Sequence, residues 1–310
     1  MTNLLTVTSS PHLRSKTVTT HIMRDVLIAL LPTLVASTVI FGYRSLVVSA
    51  VCVAASVLAE YIYRRLMHLS NTVGDLSAAV TGLLLAFNLP ASLPLWMAVI
   101  GCFAAVVVVK QLFGGLGKNF ANPAIVGRIV LLISFATPMT TWLLPGAQRT
   151  ADAVTGATPL ASLHYGGEAV SYLQLFLGQI GGSLGETCKL TLLLGGAYLV
   201  YRKVITISAP VAFMGTVFVL AAILGQDPVF HLLAGGVILG SIFMATDYVT
   251  TPTTERGKVI FGVGCGLITM VVRMFSSYPE GVSFAILIMN IITPHIDRLT
   301  SIKAFGGAKE

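Results

Sequence analysis

Apolar runs dominate this chain, and short polar clusters break them at regular intervals. A helix needs about 20 apolar residues to cross the hydrocarbon core of a bilayer. Runs of that kind fall near residues 24–42, 46–66, 76–89, 95–112 and 122–138, and again near 186–201, 206–224, 234–247, 257–274 and 281–298. The pattern predicts an all-α polytopic membrane protein of about ten transmembrane helices. Two of the runs, 76–89 and 234–247, are short, and each ends in a polar residue with proline nearby: Asn88 before Pro90, and Asp247 before Pro252. That combination predicts broken helices, whose unwound ends must face protein or a water-filled cavity.

The two sets of runs are offset by about 160 residues, a near-constant period that indicates an internal duplication. Local matches follow the same offset: Ala86 and Asn88 against Ala245 and Asp247, and Lys110 and Phe113 against Arg273 and Phe275. Five helices per repeat is an odd number, so the second half enters the membrane inverted, an arrangement that places a site near the midplane between the halves. The expected organisation is therefore a tail and first repeat over 1–138, a connecting loop over 139–185, and a second repeat and tail over 186–310. With the N-terminus on the cytoplasmic side, only Arg44, Arg149, Lys189 and Arg273 of the 19 basic residues fall outside. The positive-inside rule thus predicts both termini in the cytoplasm and the loop 139–185 outside it. The polar, basic first 23 residues carry no small-residue cleavage site, so the first span reads as a retained anchor.

Composition narrows the class. Hydrophobic residues make up 55% of the 310 and charged residues only 10%, against about 25% charged in an average soluble domain. The mean hydropathy of +0.88 agrees. Such a chain can neither cover a soluble surface nor remain disordered. The formal charge of +7 is scattered between apolar runs, with no basic stripe or aromatic platform, which argues against nucleic acid. Cys52, Cys102, Cys188 and Cys265 lie far apart, so neither a disulfide framework nor a self-contained iron–sulfur site is expected. His68, His164, His231 and His295 are isolated and do not read as metal ligands. Lys110, Arg128 and Arg273 read as boundary residues that snorkel to the interface.

The loop 139–185 is rich in Gly, Thr, Ser and Ala, and long loops tend to be functional. Within it runs Asp152-Ala-Val-Thr155-Gly156-Ala157-Thr158-Pro159. Small residues beside an acceptor threonine let a large ligand or another protein approach closely, and the proline stiffens the presentation. A second string, Gly117-Lys118-Asn119-Phe120-Ala121-Asn122-Pro123-Ala124, enters the fifth run. Two amides three residues apart offer donors and acceptors to one planar ligand; equally, Asn122 caps a helix that has Pro123 at its first position. Asp247 is an intramembrane carboxylate and so a candidate for an ion or proton pathway, with hydroxyls at Thr246, Thr250 and Thr251 to satisfy it otherwise.

The Asp-x-x-Thr-Gly-Ala-Thr string resembles the flavinylation motif of the membrane subunits of the Rnf and sodium-pumping NADH:quinone oxidoreductase complexes (the NqrB/RnfD family). The strings over 114–124 (GGLGKNFANPA) and 244–254 (MATDYVTTPTT) are similar to that family as well. The likeness is greater to the RnfD branch, because the NqrB branch of the quinone reductases carries a longer N-terminal region. The resemblance implies FMN held on Thr158 through a phosphoester bond, with Asp152, Thr155, Gly156 and Ala157 forming the signal read by a flavin transferase; Thr155 is the rival acceptor. It further implies a non-covalent riboflavin at Asn119 and Asn122. The implied setting is a larger complex in the cytoplasmic membrane of a bacterium or archaeon, with Thr158 extracytoplasmic. That complex passes electrons between ferredoxin and NAD while moving Na+ or H+, as a translocase-type oxidoreductase. The chain has no nucleotide-binding glycine loop and no cysteine cluster, so iron–sulfur, NADH-binding and second flavinylated subunits are the implied partners. Two rival classes stand beside this reading. One is a urea-channel-like transporter without redox activity, in which the loop is a gate, and the other is a purely structural subunit.

Overall fold

The computed structural model describes residues 18–146, 155–156, 158–164, 170–276 and 280–301. Among the described residues four helices are long and apolar enough to cross a membrane: α1 (Thr19–Phe41), α2 (Tyr43–Leu66), α13 (Glu255–Phe275) and α14 (Val282–Thr300). The 23 residues of α1 rise about 35 Å, more than the roughly 30 Å of hydrocarbon they must span. The other apolar runs form shorter elements: α3 (Ser77–Phe87), α4 (Leu95–Phe103) running on as a π-helix over Ala104–Gln111, α5 (Pro123–Ser134), α9 (Lys189–Tyr201) and α10 (Ser208–Ile223). The run expected at 234–247 is the most interrupted. It comprises α12 (Val237–Leu239) and a π-helix over Gly240–Met244, preceded by α11 (Pro228–Leu233).

The surface is apolar and the interior carries polar groups, the reverse of a soluble protein. Val35, Val39, Leu58, Phe103, Ile133, Leu194, Ile223 and Phe275 all face outward, whereas Glu60, Lys110, Arg128, Lys189, Arg273 and Asn290 are buried. An outward apolar belt around an inward polar seam is the arrangement a bilayer demands. The chain is therefore a multi-pass helical membrane protein.

Small residues set the closest helix contacts. Helix α13 carries Gly262-x-x-x-Gly266 against α10. A Cβ on Gly262 would lie 2.6 Å from the Ala209 carbonyl oxygen, and one on Gly266 would lie 2.9 Å from that of Phe213. Because the obstruction is backbone, it cannot swing aside. Gly262→Val is expected to force α10 and α13 apart and lower stability by about 1–3 kcal/mol. A fall in the thermal unfolding midpoint of the detergent-solubilised protein is the check; an unchanged midpoint would mean that this contact does not hold the bundle.

The unwound end of α3 is satisfied from the linker. Gly185 N–H donates to the Phe87 carbonyl at 2.8 Å and Leu184 N–H to the Leu89 carbonyl at 3.0 Å. A Cβ on Gly185 would fall 2.3 Å from Phe87 Cβ, so only glycine lets the two strands of backbone meet there.

Candidate functional site

Two places gather the polar side chains. The first is a cavity of about 90 Å³ that opens to the surface. Asn119, Asn122, Asp247, Lys110 and Ser77 line it together with Val26, Leu84, Leu199 and Phe243. Residues 125 or more positions apart in sequence thus share one chamber. Asn119 arrives there on a turn in which Gly114, Gly115 and Gly117 all take positive φ, a conformation open to glycine. Its Nδ2 donates to the Ala121 carbonyl at 3.0 Å, and it faces Asp247.

Asn122 caps α5: its Oδ1 accepts from the N–H groups of Ala124 (3.0 Å) and Ile125 (3.4 Å), with Pro123 at the first helical position. Its Nδ2 donates to the Met244 carbonyl at 3.3 Å. Asn122 therefore keeps one N–H for a ligand, whereas the two of Asn119 turn to Ala121 and Asp247. Capping and ligand contact are compatible at Asn122. Asp247 is half-buried and accepts from Thr250 Oγ1 at 3.0 Å. Thr246 and Thr251 turn instead to the carbonyls of Ile242 and Ala245.

Behind the cavity the ends of the two interrupted helices meet. Asn88 Nδ2 donates to the Leu84 carbonyl (2.7 Å) and reaches Met244 Sδ (3.7 Å). Arg128 Nη1 donates to Asn88 Oδ1 and Ser283 Oγ, both at 3.1 Å, and its other terminal nitrogen pairs with Glu280. Asn290, with its amide turned to suit its neighbours, accepts from Asn122 N–H at 3.0 Å and donates to the Thr250 carbonyl at 3.3 Å.

These contacts correct the reading of Lys110, Arg128 and Arg273 as snorkelling boundary residues. All three are buried. Lys110 Nζ pairs with Glu60 Oε2 at 2.7 Å and also donates to Ser77 Oγ, while Glu60 Oε1 accepts from Thr72 at 2.6 Å. Arg273 Nη2 donates to the Ala234 carbonyl at 2.8 Å, and Nη1 to the carbonyl of His231. Their partners lie on other elements, where no spacing in the local sequence reveals them.

The second place is the linker. Strand β1 (Trp142–Leu143) pairs antiparallel with β2 (Thr155–Gly156), Trp142 opposite Gly156. A Cβ on Gly156 would meet only the Leu144 side chain, at 2.9 Å from its Cδ2. Thr158 is buried, at 5% exposure, immediately before α7 (Pro159–His164), and its carbonyl accepts from Ser162 N–H at 2.8 Å. Leu160, Leu175, Ile180, Phe230 and Ala234 cluster around that segment. Asp152 and Ala157 lie outside the described residues, as does the Thr155 side chain. Nearby, Asp227 caps α11 and accepts from the Tyr172 hydroxyl. Partial burial pushes the Asp227 carboxyl up. The hydrogen bonds from Tyr172, Phe230 N–H and Val229 N–H outweigh it and hold the group below the usual carboxylate range.

Apolar outside and hydrogen-bonded inside, with interrupted helices that face a polar-lined cavity, the molecule belongs to the class of multi-pass helical membrane proteins. A family model described as the NQR2, RnfD, RnfE family matches residues 6–306, and the chain belongs to that family. It is 47% identical over 310 residues to the D subunit of the Na(+)-translocating ferredoxin:NAD(+) oxidoreductase complex of Acetobacterium woodii, covering 98% of this chain and 96% of that one. It is 42% identical over 321 residues to the D subunit of the proton-translocating ferredoxin:NAD(+) oxidoreductase complex of Clostridium ljungdahlii (98% and 97% covered). It is also 38% identical over 327 residues to the D subunit of the ion-translocating oxidoreductase complex of Stutzerimonas stutzeri (92% of each).

Proposed function

We propose that this chain is the membrane subunit of an Rnf-type complex, an electron-transfer component of a translocase that couples ferredoxin:NAD oxidoreduction to ion movement. The observation that carries this reading is likeness to the D subunits of such complexes along nearly the whole of both chains. The matched relatives include one Na+-translocating and one proton-translocating complex, so likeness leaves both ions open to this chain. Deleting the subunit from the native complex is expected to abolish ferredoxin-driven ion uptake into inverted membrane vesicles. Uptake that persisted would sink the assignment.

Thr158 is the proposed attachment point for FMN, with Asp152, Thr155, Gly156 and Ala157 as the signal for a flavin transferase. The pairing of Thr155–Gly156 with Trp142–Leu143 supports it, as does the position of Thr158 at the foot of a helix. Riboflavin is the proposed occupant of the cavity, where Asn122 retains an N–H for the ring edge, Asn119 lines the wall with its carbonyl oxygen as an acceptor, and apolar residues suit the ring faces. A flavin exchanges one or two electrons and so supplies the redox chemistry; the chain's own residues bind, orient and shield it. Asn119→Ala and Asn122→Ala are expected to lose the extractable flavin at least tenfold while leaving covalent flavin in place, read by chromatography of an acid extract. Asn122→Ala also removes a helix cap, at a cost of about 1 kcal/mol. Full retention of extractable flavin in both variants would move that ligand elsewhere.

We further infer two inverted five-helix repeats. Arg128 on α5 bonds Asn88 at the end of its own half's interrupted helix, and Asn290 on α14 bonds Thr250 just past the end of the other; residues 162 positions apart play matching roles. The cross-contacts are reciprocal as well, Arg128 to Ser283 and Asn290 to Asn122. A pseudo-two-fold axis between the halves accounts for both. The orientation proposed from the positive-inside rule keeps both termini cytoplasmic and Thr158 outside, with Asp247 at the cytoplasmic end of the cavity as a candidate in the ion pathway. Iron–sulfur, NADH-binding and second flavinylated subunits are the proposed partners.

A further inference from the structure

Two of the four cysteines meet inside the first half of the bundle, where the proposed reaction makes no use of them. Cys52 on α2 and Cys102 on α4 are free thiols with no exposed surface. Cys102 Sγ donates to the Cys52 carbonyl at 3.4 Å, and the two sulfurs lie within hydrogen-bonding reach of each other. The same carbonyl is crowded from a third helix, since a Cβ on Gly82 of α3 would lie 2.6 Å from it. Backbone on one side and a thiol on the other hold the pair in contact.

The contact is one rung of a ladder. Eight residues on from Cys52 stands Glu60, and eight on from Cys102 stands Lys110, and this second pair meets at 2.7 Å. Each rung joins residues 50 apart, so α2 runs parallel to α4 and its π-helical continuation, in register from one rung to the next. Along α2 the rungs are about 12 Å apart. Lys110, on the second rung, lines the cavity. Whatever fixes the first rung therefore fixes the seam that carries Lys110 to the cavity wall. Filling space at this depth requires no second sulfur. Two thiols in contact have what a single buried cysteine lacks, a neighbour that can resolve an oxidised sulfur.

We propose that Cys52 and Cys102 form a redox modification site, which a small uncharged hydroperoxide converts to a disulfide that clamps α2 to α4. Hydrogen peroxide carries no charge and is scarcely larger than water, so it can enter a packed apolar interior that ionic oxidants do not reach. One thiol takes an oxygen atom from the peroxide and becomes a sulfenic acid, releasing one water. The neighbouring thiol displaces the new hydroxyl as a second water, and the S–S bond forms. Two thiol hydrogens and two electrons from sulfur thus reduce one peroxide to two waters. A dithiol reductant reverses the bond by exchange. Cys188 and Cys265, in the second half of the chain, take no part and serve as internal controls.

The test uses the full chain in detergent, treated with hydrogen peroxide, then denatured and alkylated with a maleimide. The treated protein is expected to take up two labels where the untreated protein takes up four, one for each cysteine. Its mass is expected to fall by two hydrogens, with the peptides containing residues 52 and 102 joined in a fragment map. Dithiothreitol is expected to restore all four labels. The clamp itself is read by thermal unfolding. Peroxide is expected to shift the folding equilibrium of the native chain by about tenfold or more toward the folded state. In Cys52→Ala and Cys102→Ala that gain is expected to vanish. Where those variants fail to fold, the native chain decides alone, compared before peroxide, after it and after reduction. Four labels surviving a treatment that fully converts a control dithiol would overturn the site, as would two oxidised sulfurs with no bond between them. A bond between 52 and 102 without a gain in stability would overturn the clamp.

Discussion

Replacing Thr158 by alanine is expected to abolish covalent flavin altogether, since alanine has no oxygen from which the phosphoester could form. The substitution removes a hydroxyl and a methyl group at a buried position ahead of Pro159. It leaves the α7 backbone intact, so a stability change of about 1 kcal/mol is expected, not loss of the fold. Co-expression with a flavin transferase, a denaturing gel under ultraviolet light and mass spectrometry of the 150–165 region form the measurement. The native chain should carry a mass addition of FMN less one water on Thr158. Thr155→Ala is the control, because it removes the rival hydroxyl and should weaken recognition without eliminating the acceptor. A band that survives Thr158→Ala but disappears in Thr155→Ala would transfer the assignment to Thr155.

The second large effect is expected at Lys110 and Glu60. Their side chains are 3% and 0% exposed and 2.7 Å apart. Truncating one partner of a buried pair strands the other charge and costs about 3–5 kcal/mol, whereas replacing both costs far less. Lys110→Met alone and Glu60→Gln alone are therefore expected to lower the yield of folded protein severely. The double variant is expected to recover most of it, as a cycle of thermal unfolding midpoints would record. Additive losses would indicate that the two groups are held by other partners. Since Lys110 also lines the cavity, the double variant provides a folded background in which the contribution of that cation to flavin binding can be read.

The apolar runs of this chain were legible, and so were the interruptions after Asn88 and Asp247, because hydropathy over 20 residues and a polar residue near proline are local signals. The cap at Asn122 was legible for the same reason. Lys110, Arg128 and Arg273 were misread, and the cause is physical. A lone cation at the end of an apolar run looks identical whether it reaches for water or for a buried partner, and the partners here stand 50 residues away at Glu60 and 152 away at Glu280, or are main-chain carbonyls with no sequence signal at all. Asn290 escaped notice because an isolated polar residue in a span carries no pattern. The meeting of Asn119, Asn122 and Asp247 in one chamber depends on two turns and an interrupted helix, none of which periodicity reports.

The bond between Gly185 and Phe87 bears on the order in which the chain is made. Synthesis reaches Phe87 almost a hundred residues before it reaches the glycine that quiets its carbonyl. Until then the end of α3 must be tended by water, lipid headgroups or the insertion machinery. The first half cannot settle as a finished unit while the second is still on the ribosome. A gene split between the halves would have to leave the 178–188 stretch free to find α3, and a cut on its N-terminal side preserves that possibility only if the two pieces enter the membrane together.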